Sequence, residues 1–401
     1  MFASTRNDAI SALGFIFALV FLLPQDKLVP SYKALAIASF TLGAFMGMKV
    51  TNVVYILGFA AAVLVVMPTW RTRIQAASIC AVFGFIGILL FGGPWAWYLW
   101  QELGNPVFPM ANGIFHAPLG PELSFRDTRY LPSGIVQGLI YPVHFLFDGS
   151  LINEENFFDP RFQMTYFGAP VIALLSLLQM QKRKAETLRP VIAVSIGLLV
   201  AILAWLFMFS IERYMAAAWL LGPSFLACLM CLLWPKLLQH RKALVPTIAV
   251  CTLICMTTQS GPIRRTAWDT AGQAYIQMDL PREFDFEHSI VIFSGSYPSA
   301  FIAPAFPKSA LLTHAVVQPW SAKALDNYRP LIRSAIWESE RSLYAAITDT
   351  GTHLAKTLGR LGAEEHLLGD VKSCKPAVTN FDTDGIGWVI CPLIRGETHP
   401  D

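Results

Sequence analysis

The sequence predicts an α-helical polytopic membrane protein with about eight transmembrane helices and a C-terminal α/β soluble domain. Three observations predict it. Of the 401 residues, 54% are hydrophobic and 14% charged, against about 25% charged in an ordinary soluble domain. The apolar residues gather in long runs, and mean hydropathy is +0.49. Beyond residue 260 the runs shorten and charges become frequent. The net charge of +3 is small and unevenly spread, and no basic run points to nucleic acid. The first apolar run is long and lacks a small-residue cleavage site, so it reads as a span and not as a secretory leader.

A membrane helix needs about 20 apolar residues. The stretches 8–24, 33–49, 52–68, 75–97, 166–181, 190–210, 214–234 and 244–259 meet or approach that measure. Only "MKVTN" separates the second from the third, which predicts a tight hairpin. Residues 132–148, "LPSGIVQGLIYPVHFLF", are short and carry Gly, Pro and His; they read as an interfacial or re-entrant helix. Lys and Arg gather in cytoplasmic loops. Lys27 and Lys33, Arg71 and Arg73, Lys182 to Lys184 with Arg189, and Lys236, Arg241 and Lys242 occupy four loops. These loops share one side only if 132–148 does not cross. Residues 1–7, the loop 98–165 and everything after 260 then lie on the opposite, outer side. That loop is rich in Pro, Asn, Gly and aromatic residues, and is too long for an idle connector.

Residues 261–401 read as a separate domain. "SIVIFSG" (289–295), "ALLTHAVV" (310–317) and "GWVICPL" (387–393) have the composition of strands. Residues 330–347 and 352–363 read as helices, so strands and helices alternate. Cys374 and Cys391 stand alone in this polar region and would pair if it lies outside the cytoplasm. That bridge would close a loop of about 18 residues, worth roughly 3 kcal/mol. The other five cysteines sit in apolar runs, where cysteine acts as a small hydrophobe.

Few residues offer chemistry. Asp8 opens the first span, either as a helix cap that complements the dipole or as a carboxylate at the outer membrane surface. Lys49 ends "LGAFMGMKVTN" on the side where positive charge is disfavoured. It either snorkels to the surface or contacts a phosphate, and Gly43, Ala44 and Gly47 let another helix approach closely. "SIERYMAAAW" (210–219) places Arg213 at the outer end of a span, as a contact for an anionic headgroup or as half of a surface pair with Glu212. "GNPVFPMANGIFHAP" (104–118) is a turn-rich loop in which Asn105 and Asn112 could bind sugar hydroxyls and His116 could titrate near neutral pH; it also reads as a loop merely packed on the membrane. Arg126, Asp127 and Arg129 form a local ion-pair cluster. No Walker loop, HExxH, GxSxG or dinucleotide fingerprint occurs, and the eight scattered histidines show no metal-ligand spacing.

Taken in order, these stretches resemble the glycosyltransferase C superfamily, multi-span enzymes that take sugars from polyprenyl-phosphate carriers at the outer membrane face. Within it they look closest to bacterial dolichyl-phosphate-mannose-type transferases with a C-terminal periplasmic domain. "STRNDAISALGFIF" resembles the family segment that carries a second outer acidic residue, "LGAFMGMKVTN" its G-x-x-x-G-x-K-x-T helix, "GNPVFPMANGIFHAP" its Asn-Pro loop and "ERYMAAAWLLGP" its R-Y-x-x-P helix. The resemblance covers roughly residues 1–234 and, more weakly, the tail. It implies inverting sugar transfer in a bacterial inner membrane. Asp8 would be the surviving second catalytic carboxylate, a neighbour of a metal or of the carrier phosphate, and the base itself would be missing from this chain. Lys49 and Arg213 would hold that phosphate, and Asn105, Asn112 and His116 the sugar or acceptor. A divalent metal is the cofactor this pattern leaves room for. The family's acidic pair lies in the first outer loop, between its first two helices, and nothing here precedes Met1. The resemblance therefore implies that the N-terminal part is lacking, or that a separate N-terminal polypeptide supplies it. Two competing expectations are a non-catalytic subunit or remnant that binds the lipid carrier, and a lipid-linked sugar transporter. Spans nearly free of ionisable groups except at their ends count against transport.

Overall fold

A computed structural model describes residues 8–23, 29–120, 127–153, 157–180, 185–233, 245, 249–250, 253, 257–258, 278–294, 300–316, 328–349, 353–379 and 387–397. The chain divides into two compact units. One comprises Met1–Leu99 and Asp127–Pro262, the other Trp100–Arg126 and Ile263–Asp401. The segment 100–126 of the long loop thus groups with the C-terminal unit.

The first unit is helical. It contains α1 (Asp8–Val20), α2 (Tyr32–Met48), α3 (Val53–Val66), most of α4 (Trp70–Leu103), α6 (Ile135–Phe147), α7 (Arg161–Gln179), α8 (Ala185–Met208) and α9 (Ala216–Leu233); the one-turn α5 (Asn112–Phe115) lies in the other unit. Four helices among the described residues are long and apolar enough to cross a membrane: Trp70–Leu103, Arg161–Gln179, Leu188–Met208 and Glu212–Leu233. Among the described residues, eight such helices are not seen. At 1.5 Å per residue, the 13 residues of α1, the 14 of α3 and the 13 of α6 fall short of a hydrocarbon core about 30 Å thick. The stretch 244–259 lies largely outside the described residues. So do Lys27, Lys182 to Lys184, Lys236, Arg241 and Lys242, on which much of the charge-based orientation rests.

Local chemistry explains the helix limits. Ser31 caps α2, its hydroxyl accepting the amide of Ala34 at 3.1 Å, and Lys49 ends that helix in an extended conformation. The helix expected over 75–97 begins earlier and runs through "WYLW" to Leu103. Nothing stops it before Gly104, which takes a positive φ of 72° that favours glycine. Small residues bring α2 and α4 together: a Cβ built on Gly43 would lie 2.0 Å from the carbonyl oxygen of Gly84. The core gathers Phe15, Leu35, Tyr55, Phe162, Trp205 and Trp219, all almost fully buried. The outer surface of the unit carries large apolar side chains such as Leu64, Phe85, Leu90, Leu174 and Leu178.

The second unit contains a seven-stranded sheet: β1 (Met278–Asp279), β2 (Ile290–Ser294), β3 (Leu311–Val316), β4 (Leu343–Asp349), β5 (Leu367–Leu368), β6 (Lys375–Thr379) and β7 (Gly387–Arg395), with α10 (Arg329–Trp337) and α11 (His353–Glu365) between strands. The order is β1-β6-β7-β4-β2-β3, and β5 pairs with β7. β3, β2 and β4 run parallel to one another, while β7 is antiparallel to β4. Ile290, Ile292, Leu343, Ala345 and Ile347 share a buried cluster with Ile336 of α10 and with Leu354, Leu358 and Leu361 of α11. The alternate residues Val291, Phe293, Tyr344 and Ala346 share another with Phe286, Ile302 and Phe306. The two connections that flank β3 therefore cover opposite faces of the sheet.

The expectation of one helix over 330–347 is corrected. The helix stops at Trp337, and Leu343–Asp349 is β4, paired on both sides. "ESERS" (338–342) interrupts the amphipathic helical period, and "LYAAIT" is buried throughout as a central strand requires. Cys374, just before β6, and Cys391, in β7, form a disulfide across 17 positions of sequence.

Candidate functional site

The chemistry-bearing residues of the helical unit lie at helix ends, where the apolar periodicity is interrupted. Asp8 stands in the first turn of α1 and is 6% exposed. Lys49 occupies the C-cap of α2, and its ammonium bonds to Asp8 Oδ1. The expected hairpin after α2 positions this lysine. Its buried Asn52 donates from Nδ2 to the carbonyl of Phe45 (2.8 Å) and to Ser11 Oγ (3.1 Å), tying the turn back to α1 one turn after Asp8. Bonds of this kind cost little once the partners are ordered and much if broken in a buried place.

The turn between α8 and α9 completes the arrangement. Residues Glu212–Met215 form a short 3₁₀ segment, anchored by the Glu212 amide on the carbonyl of Ile152 at 2.8 Å. Tyr214 presents its ring to two cations: Lys49 Nζ lies 4.6 Å from the ring centroid and Arg213 Cζ 5.3 Å from it. A cation over an aromatic face is stabilised by about 0.5–2 kcal/mol, depending on desolvation. Arg213 also feels Asp127, whose carboxyl is held below the usual carboxylate range. The first cause is the side-chain hydrogen bond from Arg129, opposed by burial and helped by the Arg129 amide and by the charges of Arg129 and Arg213. Arg129 donates to Asp127 from Nε at 3.0 Å and from Nη2 at 2.8 Å. The ion-pair cluster expected around Asp127 is thus present, while Arg126 lies outside the described residues.

Three of the expected site residues are therefore linked: Asp8 bonds to Lys49, and Lys49 and Arg213 both approach Tyr214. Sequence reasoning passed over Tyr214, Asn52 and the coupling of Asp127 to Arg213. Tyr214 stands beside Arg213 in "SIERYMAAAW" and Asn52 closes "MKVTN", so both lay within stretches already singled out. An aromatic ring close to two cations could not be read without the tertiary approach of α2 to the α8–α9 turn.

Asn105, Asn112 and His116 belong to the other compact unit. Asn105, fully buried, accepts the Val107 amide at 2.9 Å and donates to the carbonyl of Met110 at 2.9 Å and to Asn112 Oδ1 at 3.4 Å. Asn112, 3% exposed, accepts the Ala117 amide at 2.8 Å and donates to the carbonyl of Ala117 at 3.2 Å. The two carboxamides knit the loop from within, as expected of residues that bond their own nearby backbone. His116 is exposed, with a positive φ of 51°. Among the described residues no group of three or more His, Cys, Asp or Glu side chains could hold a metal ion.

The arrangement around Tyr214 can receive an anion. An ammonium has three N–H donors, of which the Asp8 bond uses one. A guanidinium presents a planar fork suited to phosphate. No family model matches the chain, and neither a curated protein nor a solved structure matches it.

Proposed function

We propose that the chain is a membrane glycosyltransferase that moves a sugar from a polyprenyl-phosphate carrier to an acceptor, at the outer face of a bacterial inner membrane. Several of the shorter apolar helices would complete the set of spans, and the C-terminal unit would be periplasmic. The observation that carries the reading is the approach of Lys49 and Arg213 to one ring, Tyr214, at the ends of apolar helices. Half-buried positive charge at the end of an apolar helix is costly unless it has a task or a partner.

Lys49 and Arg213 hold the carrier phosphate beside the ring. The acceptor hydroxyl oxygen attacks the anomeric carbon, and the bond from that carbon to the phosphate oxygen breaks. The phosphate keeps the electron pair, and the two cations stabilise the charge it gains. Lys49, drawn to the phosphate, loosens its bond to Asp8, and Asp8 becomes available to accept the acceptor's proton. A second reading, a chain that binds carrier lipid without transfer, has an observation in its favour: Asp8 is buried and already paired with Lys49.

Binding of polyprenyl phosphate to the full chain in lipid nanodiscs, with sugar transfer from the loaded carrier measured in parallel, tests both. Lys49→Ala and Arg213→Ala should each weaken binding about tenfold or more, as loss of a charge-assisted contact does. Asp8→Asn should keep binding and abolish transfer. Unchanged affinity in both cation variants overturns the proposal. Intact binding with no transfer by the parent chain favours the second reading.

A further inference from the structure

In the helical unit, the chain enters and leaves one helix at a single place. α6 (Ile135–Phe147) has 13 residues, about 20 Å at 1.5 Å each, and contains no Asp, Glu, Lys or Arg. The Tyr141 hydroxyl, in the middle of it, reaches the carbonyl oxygen of Tyr130 at 3.1 Å and that of Leu151 at 2.9 Å. Tyr130 precedes α6 by five residues, and Leu151 follows it by four. One side chain thus gathers both flanks beside the centre of the helix. A segment that crossed the bilayer would part its flanks by about 30 Å.

The contacts of α6 gather at one end of its neighbours. The carbonyl of Pro142 accepts Gln163 Nε2 at 2.7 Å, that of Leu139 accepts the Tyr166 hydroxyl at 2.9 Å, and the Phe145 ring meets Phe162 edge-on. All three partners lie in the first six residues of the 19-residue α7. Phe145 also meets Trp205, in the last turn of α8. Gly138, Tyr141, Pro142 and Phe145 are buried, while Ile135, Val136, Leu139, Ile140, Val143 and Phe147 are exposed. α7 is long and apolar enough to cross a membrane, and Phe167, Val171 and Leu174 on it are exposed too. The uncharged surface of α6 therefore adjoins one that suits hydrocarbon. Both flanks are tied to the α8–α9 turn: before α6, Asp127 feels the charge of Arg213, and after it, Ile152 accepts the Glu212 amide at 2.8 Å.

We infer that residues 130–151 form a re-entrant loop that dips into one leaflet and returns, and that the exposed face of α6 binds the acyl chains of that leaflet beside the α8–α9 turn. Asp127, Arg129 and Ile152 then share one side of the bilayer. A surface docked on a protein carries a polar rim. On α6 the polar side chains are Gln137, which accepts the Ser133 hydroxyl at 2.6 Å, and His144, one turn before the polar exit at Asp148. The remaining exposed side chains are branched or aromatic hydrocarbon, on a helix too short to cross. The inference stands apart from sugar transfer, since it needs neither carrier nor acceptor.

The full-length chain in sealed membrane vesicles of one orientation tests the loop. Ser133→Cys and Ser150→Cys, both at exposed positions, should react with a membrane-impermeant maleimide from the same side, above the level of the parent chain. Reaction from opposite sides would make α6 a span and overturn the inference. The acyl contact is tested without added cysteine. A photoactivatable benzophenone side chain replaces Val136 or Phe147, and the chain is irradiated in lipid nanodiscs. Mass spectrometry should find lipid adducts at both positions, within about threefold of the yield at Leu174 on α7, as for side chains set among acyl chains. Lipid yields lower by about tenfold or more, or adducts to a second copy of the chain in their place, would overturn the inference.

Discussion

The two compact units solve the burial problem in opposite ways. The helical unit has an apolar interior and an apolar exterior, and among the described residues its charges lie at helix ends and in the connections. α3, "VVYILGFAAAVLVV", has no charged residue, and Leu57 and Leu64 on it are exposed. The sheet unit has an apolar interior and a largely polar helical surface. α11, "HLAKTLGRLGAEE", carries Lys356, Arg360 and Glu364 on one side and Leu354, Leu358 and Leu361 on the other. The first surface suits hydrocarbon, the second water. In the first, a polar group is therefore informative wherever it occurs. In the second, polarity is ordinary, and the informative group is a buried one left without a partner.

The largest test strikes the helical core. Trp205 is fully buried against Phe162 and Trp219, and its indole donates to the carbonyl of Ile211 at 2.7 Å. Trp205→Ala should cost about 3–5 kcal/mol and speed hydrogen exchange in α8 and α9. If exchange in β4 rose equally, the two units would not have separate cores.

The reciprocal test is somewhat smaller. The Cys374–Cys391 bridge spans 17 positions, and a loop of that length is worth about 3 kcal/mol. Replacing both cysteines by serine should expose amides of β6 and β7 and leave α8 and α9 protected. Loss of protection in α8 of the same size would contradict the division.

The units also differ in how far they can be read without coordinates. Helix periodicity and strand-like runs placed most elements to within a few residues, because each reports a local burial pattern. The failure at 330–347 came from a run of small and apolar residues that suits a helix or a doubly covered strand equally; only the pairing of β4 with both β2 and β7 decides it. At the helix ends, Asp8, Lys49 and Arg213 were legible because charge is scarce around them. Their grouping was not, since it depends on where α1, α2 and the α8–α9 turn meet. Asn105 and Asn112 show the converse. Their side chains looked like ligand groups, but in a turn-rich loop the nearest amides and carbonyls to bond are the loop's own.

The smallest effect sharpens the account of the helix ends. Asp127 is partly exposed, and its carboxyl is held below the ordinary range, first by the Arg129 side chain. An unfolded aspartate titrates near 3.9, or about pH 4. Because the folded value is the lower one, the pairing stabilises the structure fully above about pH 4, and that contribution is lost as pH falls through the folded value. Screening by solvent keeps it at about 1 kcal/mol or less. Asp127→Asn should therefore melt slightly below the parent at pH 7 and keep the same gap at pH 5. The two curves should draw together below about pH 4. A gap that stays constant to pH 3 would mean that the shape of the Asp127–Arg129 turn, and not the carboxylate's charge, holds this segment beside Arg213.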